Sequence, residues 1–155
     1  ADGCMDAVSV GWSLRASGLS DASWMAELRA VVMRPDLERL GRYDPVRVRQ
    51  RFLDAFVPEN TRVIVVDGDD VGLVAVRHEP DALWIEHFYL APESQGRGIG
   101  AAVLAHLLAD TDGTLPFRLN VLQASAARRL YERHGFVLES EDAVDVFMKA
   151  DASRA

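Results

Sequence analysis

Residues 89–108 read YLAPESQGRGIGAAVLAHLL. An extended run ends at Leu90, a proline-bearing turn follows, and Gln95–Gly100 places three glycines and an arginine at the mouth of an apolar helix striped by Ile99, Val103, Leu104, Leu107 and Leu108. The first N–H groups of a helix have no intrahelical partners, and that end carries a partial positive charge. Glycine lets the backbone wrap an anion without side-chain collision, and Arg97 adds a cation. Gln95–Ala101 therefore reads as a cradle for a phosphate or pyrophosphate.

Three cradles compete for this pattern. A P-loop needs Gly-Lys-Ser/Thr, whereas Gly100 is followed by Ala101-Ala102. A dinucleotide fold tolerates Gly96-x-Gly98-x-x-Ala101, but expects an acid about twenty residues on; that neighbourhood reads Leu119-Asn120-Val121-Leu122-Gln123. The third, Gln-x-x-Gly-x-Gly after a strand, fits every position.

Working outward, Val8–Arg15 alternates as a first strand, with Val8, Val10, Trp12 and Leu14 on one face. Ser20 and Asp21 offer caps for a helix to about Met33, where Pro35 is expected to stop it. Asp44 and Pro45 open a second helix carrying Val48, Phe52 and Phe56. Thr61–Val66 and Val71–Val76 flank "DGDD" as a hairpin, and Leu83–Leu90 adds a third strand. Beyond the glycine-rich helix, "LPFRLNVL" is a strand and Ser125–Arg133 a helix stopped by Gly135. Phe136–Leu138 and Val144–Met148 are the last strands. The order β-α-α-β-β-β-α-β-α-β-β predicts a single α/β domain over 1–155 with a mixed sheet and short loose tails, Ala1–Ala7 and Asp151–Ala155.

The stretch 89–108 closely resembles the acetyl-CoA-binding segment of the GNAT superfamily of N-acetyltransferases. LNVLQASAARRLYERHGF (119–136) resembles that family's second signature, in the right order and spacing. The resemblance spans about residues 8–149. It implies a twisted, mostly antiparallel sheet flanked by about four helices, and acetyl-CoA as acyl donor without a metal. The implied reaction is direct transfer to a primary amine of a small molecule or peptide, in a ternary complex. A catalytically silent acyl-CoA-binding sensor, or a protein N-terminal acetyltransferase, are the competing readings.

The same resemblance assigns roles to residues. Phe88, Tyr89 and Leu90 would lend backbone to the pantetheine arm, with the Leu90 N–H as oxyanion donor. Gln95, Gly96, Arg97, Gly98, Ile99, Gly100 and Ala101 would hold the pyrophosphate. Ser125, Ala127, Arg128 and Tyr131 would line the donor from the second signature helix, and Tyr131 would protonate the leaving thiolate. The family's usual asparagine at the start of that helix is replaced by Ser125, with Asn120 a conceivable substitute.

For the base, strict alternation puts Trp84, Glu86, Phe88 and Leu90 on one face and Ile85, His87 and Tyr89 on the other. Glu86 is the expected base, desolvated beside Trp84 and Phe88; His87, or no dedicated base, are the alternatives. Arg42, Arg47, Arg49 and Arg51 decorate the second helix, either as a solvated face or as contacts for an anionic acceptor group. Trp24, Tyr43, Phe52 and Phe56 are read as core, with the lining of an acceptor pocket as the alternative. His78, His106 and His134 show no metal-ligand spacing.

Composition bounds the rest. Apolar residues at 49% and charged residues at 26% suit a folded domain. A net charge of −7 disfavours nucleic acid and anionic membrane, and favours a cationic or amine-bearing small molecule. Cys4 is the only cysteine, so no internal disulfide forms and an acetyl-cysteine route is not expected. With no secretory pattern and no long apolar run, a cytoplasmic setting is expected, and a homodimer is compatible with it.

Overall fold

The computed structural model describes residues 11–151. Val8, Val10, Cys4, the 1–7 tail and residues 152–155 lie outside the described residues. Seven strands run β1 (Trp12–Ala16), β2 (Thr61–Val66), β3 (Asp69–His78), β4 (Leu83–Leu90), β5 (Phe117–Leu122), β6 (Val137–Glu141) and β7 (Asp145–Ala150). Four helices are α1 (Ala22–Arg39), α2 (Pro45–Ala55), α3 (Ile99–Ala109) and α4 (Ala127–Arg133). The sheet order is β1-β2-β3-β4-β5-β7-β6, antiparallel everywhere except between β4 and β5. The element order is the one the sequence predicts.

The sheet separates two apolar layers. On one side Met25 and Ala26 of α1 and Phe52 of α2 pack on Val63 and Leu73. On the other, Ile99, Val103, Leu104 and Leu107 of α3 and Tyr131 of α4 cover Ile64, Val74, Ile85, Leu119 and Met148. Local chemistry fixes the connections. Asp44 accepts hydrogen bonds from the Val46 and Arg47 amides at 3.0 and 2.9 Å, and Pro45 opens α2. Asp67 and Gly68, with φ of 52° and 85°, form the left-handed pair that a two-residue hairpin requires.

Two helix expectations are corrected. α1 does not end at Met33 but runs through Pro35 to Arg39. Proline removes one amide donor, and the carbonyl it orphans belongs to Val31, a residue on the exposed side of the helix. Asp21 does not cap α1. Its buried carboxylate accepts from Arg15 at 2.9 Å, from Trp24 Nε1 at 2.9 Å and from the Gly18 amide at 3.0 Å. The Arg15 guanidinium, before the other two donors, holds it well below the usual carboxylate range.

A third correction concerns β4. Ala75 pairs with His87 but Val76 with Ile85, so Glu86 is the extra residue of a β-bulge. The bulge shifts the phase of the strand. Leu83, Ile85, Phe88 and Leu90 all face the α3 layer, whereas His87 meets Phe52 and Tyr89 joins the α1–α2 layer. Glu86 thus parts from Phe88, and Ile85 from His87, contrary to strict alternation.

Across the same strand pair, a Cβ built on Gly72 would lie 2.3 Å from the Tyr89 carbonyl oxygen. Only glycine admits that approach. Gly72→Ala should destabilise the protein by about 2 kcal/mol or more, as overpacking against backbone does. Denaturant unfolding checks this, and an unchanged midpoint would show that β3 and β4 separate freely.

Candidate active site

β4 and β5 are paired only at Leu83–Phe117 and Trp84–Arg118, and then diverge. The Ala91 amide donates to the Val71 carbonyl at 2.8 Å, and Leu90 lies opposite Gly72. In an antiparallel ladder that register makes Leu90 and Phe88 members of non-hydrogen-bonded pairs, with their N–H and C=O groups turned away from β3 and into the gap. Gln95 closes one of these groups, its Nε2 donating to the Leu90 carbonyl at 2.9 Å. The Tyr89 backbone belongs instead to the ladder with Leu73, and only its side chain reaches the opening.

The gap opens into a cleft of about 830 Å³ that reaches from Tyr131 and Ala127 of α4, past Phe88 and Glu86, to α1 and α2. Beyond Leu90 the glycine turn lies as the sequence predicts. Gly96 and Gly98 have φ of 77° and 82°, and Gly98 is the residue preceding α3. Among the described residues, the amides of Gly96, Arg97, Gly98, Ile99, Gly100 and Ala101 make no hydrogen bond, and no atom crowds a Cβ built at Gly96 or Gly98. Free donors and open space fit a pyrophosphate. Ile99 itself is buried in the core. A Cβ at Gly100 would meet Leu90 and Leu130 at 3.6 Å, an ordinary van der Waals distance.

Tyr131 is buried between Phe88 and Phe136, at ring-centroid distances of 6.5 and 5.6 Å, and lines the cleft. Desolvation, reinforced by Tyr89, raises its phenol well above the usual value, so it keeps its proton at neutral pH. Glu86 lines the cleft with a quarter of its side chain exposed, but it is not an unpartnered carboxylate between Trp84 and Phe88. Its Oε2 accepts from Arg77 at 2.8 Å, and Arg77 also pairs with Glu79 and lies over the Trp84 ring. No local sequence signal marks Arg77, because only the bulged register of β3 on β4 brings it there.

His87 is buried against Phe52 and outside the cleft. Its Nδ1 meets the Tyr89 hydroxyl at 3.1 Å, and its Nε2 has no partner among the described residues. Burial, with Arg29 nearby, lowers its pKa to about 4.

Ser125 accepts the Ala127 amide at 3.2 Å, capping the second-signature helix from a turn in which Ala124 takes φ of 62°. Arg128 is tied to Glu132 at 3.1 Å. Asn120 does face the cleft, but its amide donates to Asp145 at 3.0 Å. None of Trp24, Tyr43, Phe52 and Phe56 lines the cleft. Trp24, Phe52 and Phe56 belong to the α1–α2 layer as expected, but Tyr43 is half-buried under the Arg34 guanidinium and outside both apolar layers. Of the α2 arginines and their neighbour in the preceding turn, Arg42, Arg47 and Arg51 line the cleft, whereas Arg49 points away to Glu27. Arg29 of α1, which no sequence motif singles out, lines it too. Among the described residues no cluster could hold a metal, and no helix is long and apolar enough to cross a membrane.

A family model described as "Acetyltransferase (GNAT) domain" matches residues 59–138, more than half of the chain. No curated protein matches. Among solved structures, the PaiA N-acetyltransferase of Thermoplasma acidophilum in complex with coenzyme A superposes with TM-score 0.72 at 18% identity, covering 91% of this chain and 99% of that one. The ribosomal-protein-S18-alanine N-acetyltransferase of Escherichia coli gives 0.71 at 17%, covering 94% and 96%. The loading GNATL domain of CurA from Lyngbya majuscula gives 0.69 at 14%, covering 94% and 100%. At these identities the likeness is one of fold.

The buried His87 carries a prediction of its own. With its pKa lowered from 6.5 to about 4, the unfolded chain takes up a proton first as pH falls. Stability should therefore be insensitive to His87 above pH 6.5 and drop by up to about 3 kcal/mol between 6.5 and 4. His87→Phe should flatten that limb in unfolding measurements across the pH range. An equal slope in the variant would show that His87 is protonated in place.

Proposed function

Because the chain belongs to the GNAT acetyltransferase family, we propose that it transfers the acetyl group of acetyl-CoA to a primary amine of a small molecule or peptide, by direct attack with both bound together. A cytoplasmic setting goes with this reading. The observation that carries it is the separation of β4 from β5, which leaves the Phe88 and Leu90 backbone groups facing a cleft beside the unpaired amides of Gly96–Ala101. When bound, acetyl-CoA supplies an activated thioester. The turn amides and Arg97 would hold its pyrophosphate, and Phe88, Leu90, Ser125 and Ala127 would flank its arm.

The Leu90 N–H, on a residue whose carbonyl is already held by Gln95, would donate to an oxygen that gains negative charge. Tyr131 holds a proton on its hydroxyl and gives it to the leaving sulfur. A phenol is a weaker acid than a thiol, and burial weakens it further, so the proton must move as the bond breaks and not before. Glu86, fixed through Oε2 by Arg77, has Oε1 left to take the amine's proton, directly or through water. A silent acyl-CoA sensor would keep the cradle without needing either group. A thiol-release assay over an amine and peptide panel separates the readings, and coenzyme A binding without turnover of any amine would favour the sensor.

Tyr131→Phe keeps the packing and removes the proton. Coenzyme A affinity by calorimetry should be unchanged while kcat falls on the order of tenfold to a hundredfold; an unchanged kcat, with chemistry rate-limiting, would leave Tyr131 as packing.

Glu86→Gln should lower kcat/KM at neutral pH by a comparable factor, about tenfold or more. Part of the loss should return at higher pH as free amine accumulates. A wild-type pH profile in the variant would reduce Glu86 to a structural partner of Arg77.

A further inference from the structure

The cleft is lined by more charged side chains than the transfer reaction needs. Its carboxylates are all engaged, Asp36 and Glu86 by arginines, but Asp44, Asp142 and Asp145 by neutral amides that leave their negative charge in place. Asp36 pairs with Arg39 at 2.6 Å, and Asp44 and Asp142 cap backbone amides. Asp145 accepts from Asn120, and Glu86 from Arg77. The arginines are not. Among the described residues Arg47 and Arg51, one helical turn apart on α2, make no side-chain hydrogen bond or ion pair, although Arg49 between them is fully paired with Glu27. Arg29 is half-buried, and its guanidinium meets only neutral acceptors: the Tyr89 hydroxyl at 3.1 Å and the Val48 carbonyl.

A partly desolvated cation without a counter-ion is costly in the absence of a ligand. Guanidinium forks suit planar or tetrahedral oxyanions. We propose that Arg29, Arg47 and Arg51 form an anion subsite, and that the acceptor is a small amine whose tail carries a carboxylate or a phosphate. The term acceptor rests on the transferase reading above; the subsite does not. Glu86 lies in the same cleft, so a molecule with an amine at one end and an anion at the other would place each against its complement.

The probes are chain-length series of ω-amino carboxylates and aminoalkyl phosphates, each matched to a neutral amide or alcohol of the same length, with diamines for comparison. Calorimetry on the protein, alone and saturated with coenzyme A, should show the best anionic amine binding at least tenfold tighter than its neutral match. Arg47→Gln/Arg51→Gln should collapse that preference about tenfold, whereas Arg49→Gln should retain it. In thiol release, the preference should reappear in KM. The stronger of the two series identifies carboxylate or phosphate as the natural group. Equal affinity for charged and neutral members, a preference for diamines, or an acidic peptide outcompeting every small amine would each overturn the proposal. So would loss of coenzyme A affinity in the double variant, which would assign these arginines to the donor. An anion preference without turnover of any amine would sink the transferase reading and keep the subsite.

Discussion

The structure depends on one broken ladder. A parallel pair in the middle of a sheet ordinarily satisfies backbone groups along its whole length, and interior groups left unpaired are costly. Here β4 and β5 stay together for two residue pairs only. The surrounding elements are arranged around that breach. α3 and α4 seal one side with Ile99, Val103 and Tyr131, α1 and α2 flank the other, and Gln95 reaches back from the turn to cover the Leu90 carbonyl. β7 then enters between β5 and β6, so β5 keeps a complete antiparallel partner on its far side. β5 can therefore leave β4 without fraying.

The bulge at Glu86 works on the same strand. Without it, period-two alternation would send Ile85 to the α1–α2 layer and bring Glu86 to the same face as Phe88. With it, four apolar residues of β4 face the α3 layer, and the carboxylate lies by the cleft within reach of Arg77. The inserted residue also re-aims the strand just before it parts from β5, which is where bulges are commonly found beside functional sites. Gly72 permits the close backbone contact that holds β3 to this irregular strand.

Much of this was legible in the sequence because it is local. Asp44-Pro45, Asp67-Gly68, Gly135 and the Ile99–Leu108 stripe each state their structure within a few residues, and the two signature segments supplied the topology. The failures were non-local. Pro35 stays inside a helix, and the residue whose carbonyl it orphans, Val31, is exposed, a fact set by tertiary position. The face of Glu86 depended on register against β3, and its partnership with Arg77 on a strand outside either signature. Arg29 carried no local signal either; only the packing of α1 over β4 brings it to Tyr89.

Net charge alone does not describe the cleft, for a physical reason. A total of −7 describes the far field of the protein, and at physiological ionic strength that field is screened beyond about 8 Å. Within a cleft the nearest groups dominate, and low-dielectric walls strengthen them. Acidic residues are plentiful in this chain; of those lining the cleft, Asp36 and Glu86 pair with arginines, Asp44 caps a helix, Asp142 caps a turn and Asp145 holds the Asn120 amide, while the guanidiniums of Arg47 and Arg51 have no such partner among the described residues. A carboxylate paired with a guanidinium is neutralised, whereas one held by neutral amides keeps its charge, so the field a ligand meets depends on which donors hold each group. A chain acidic overall can therefore present unpaired guanidiniums to its ligand, and only the hydrogen-bond pattern of the folded state reveals them.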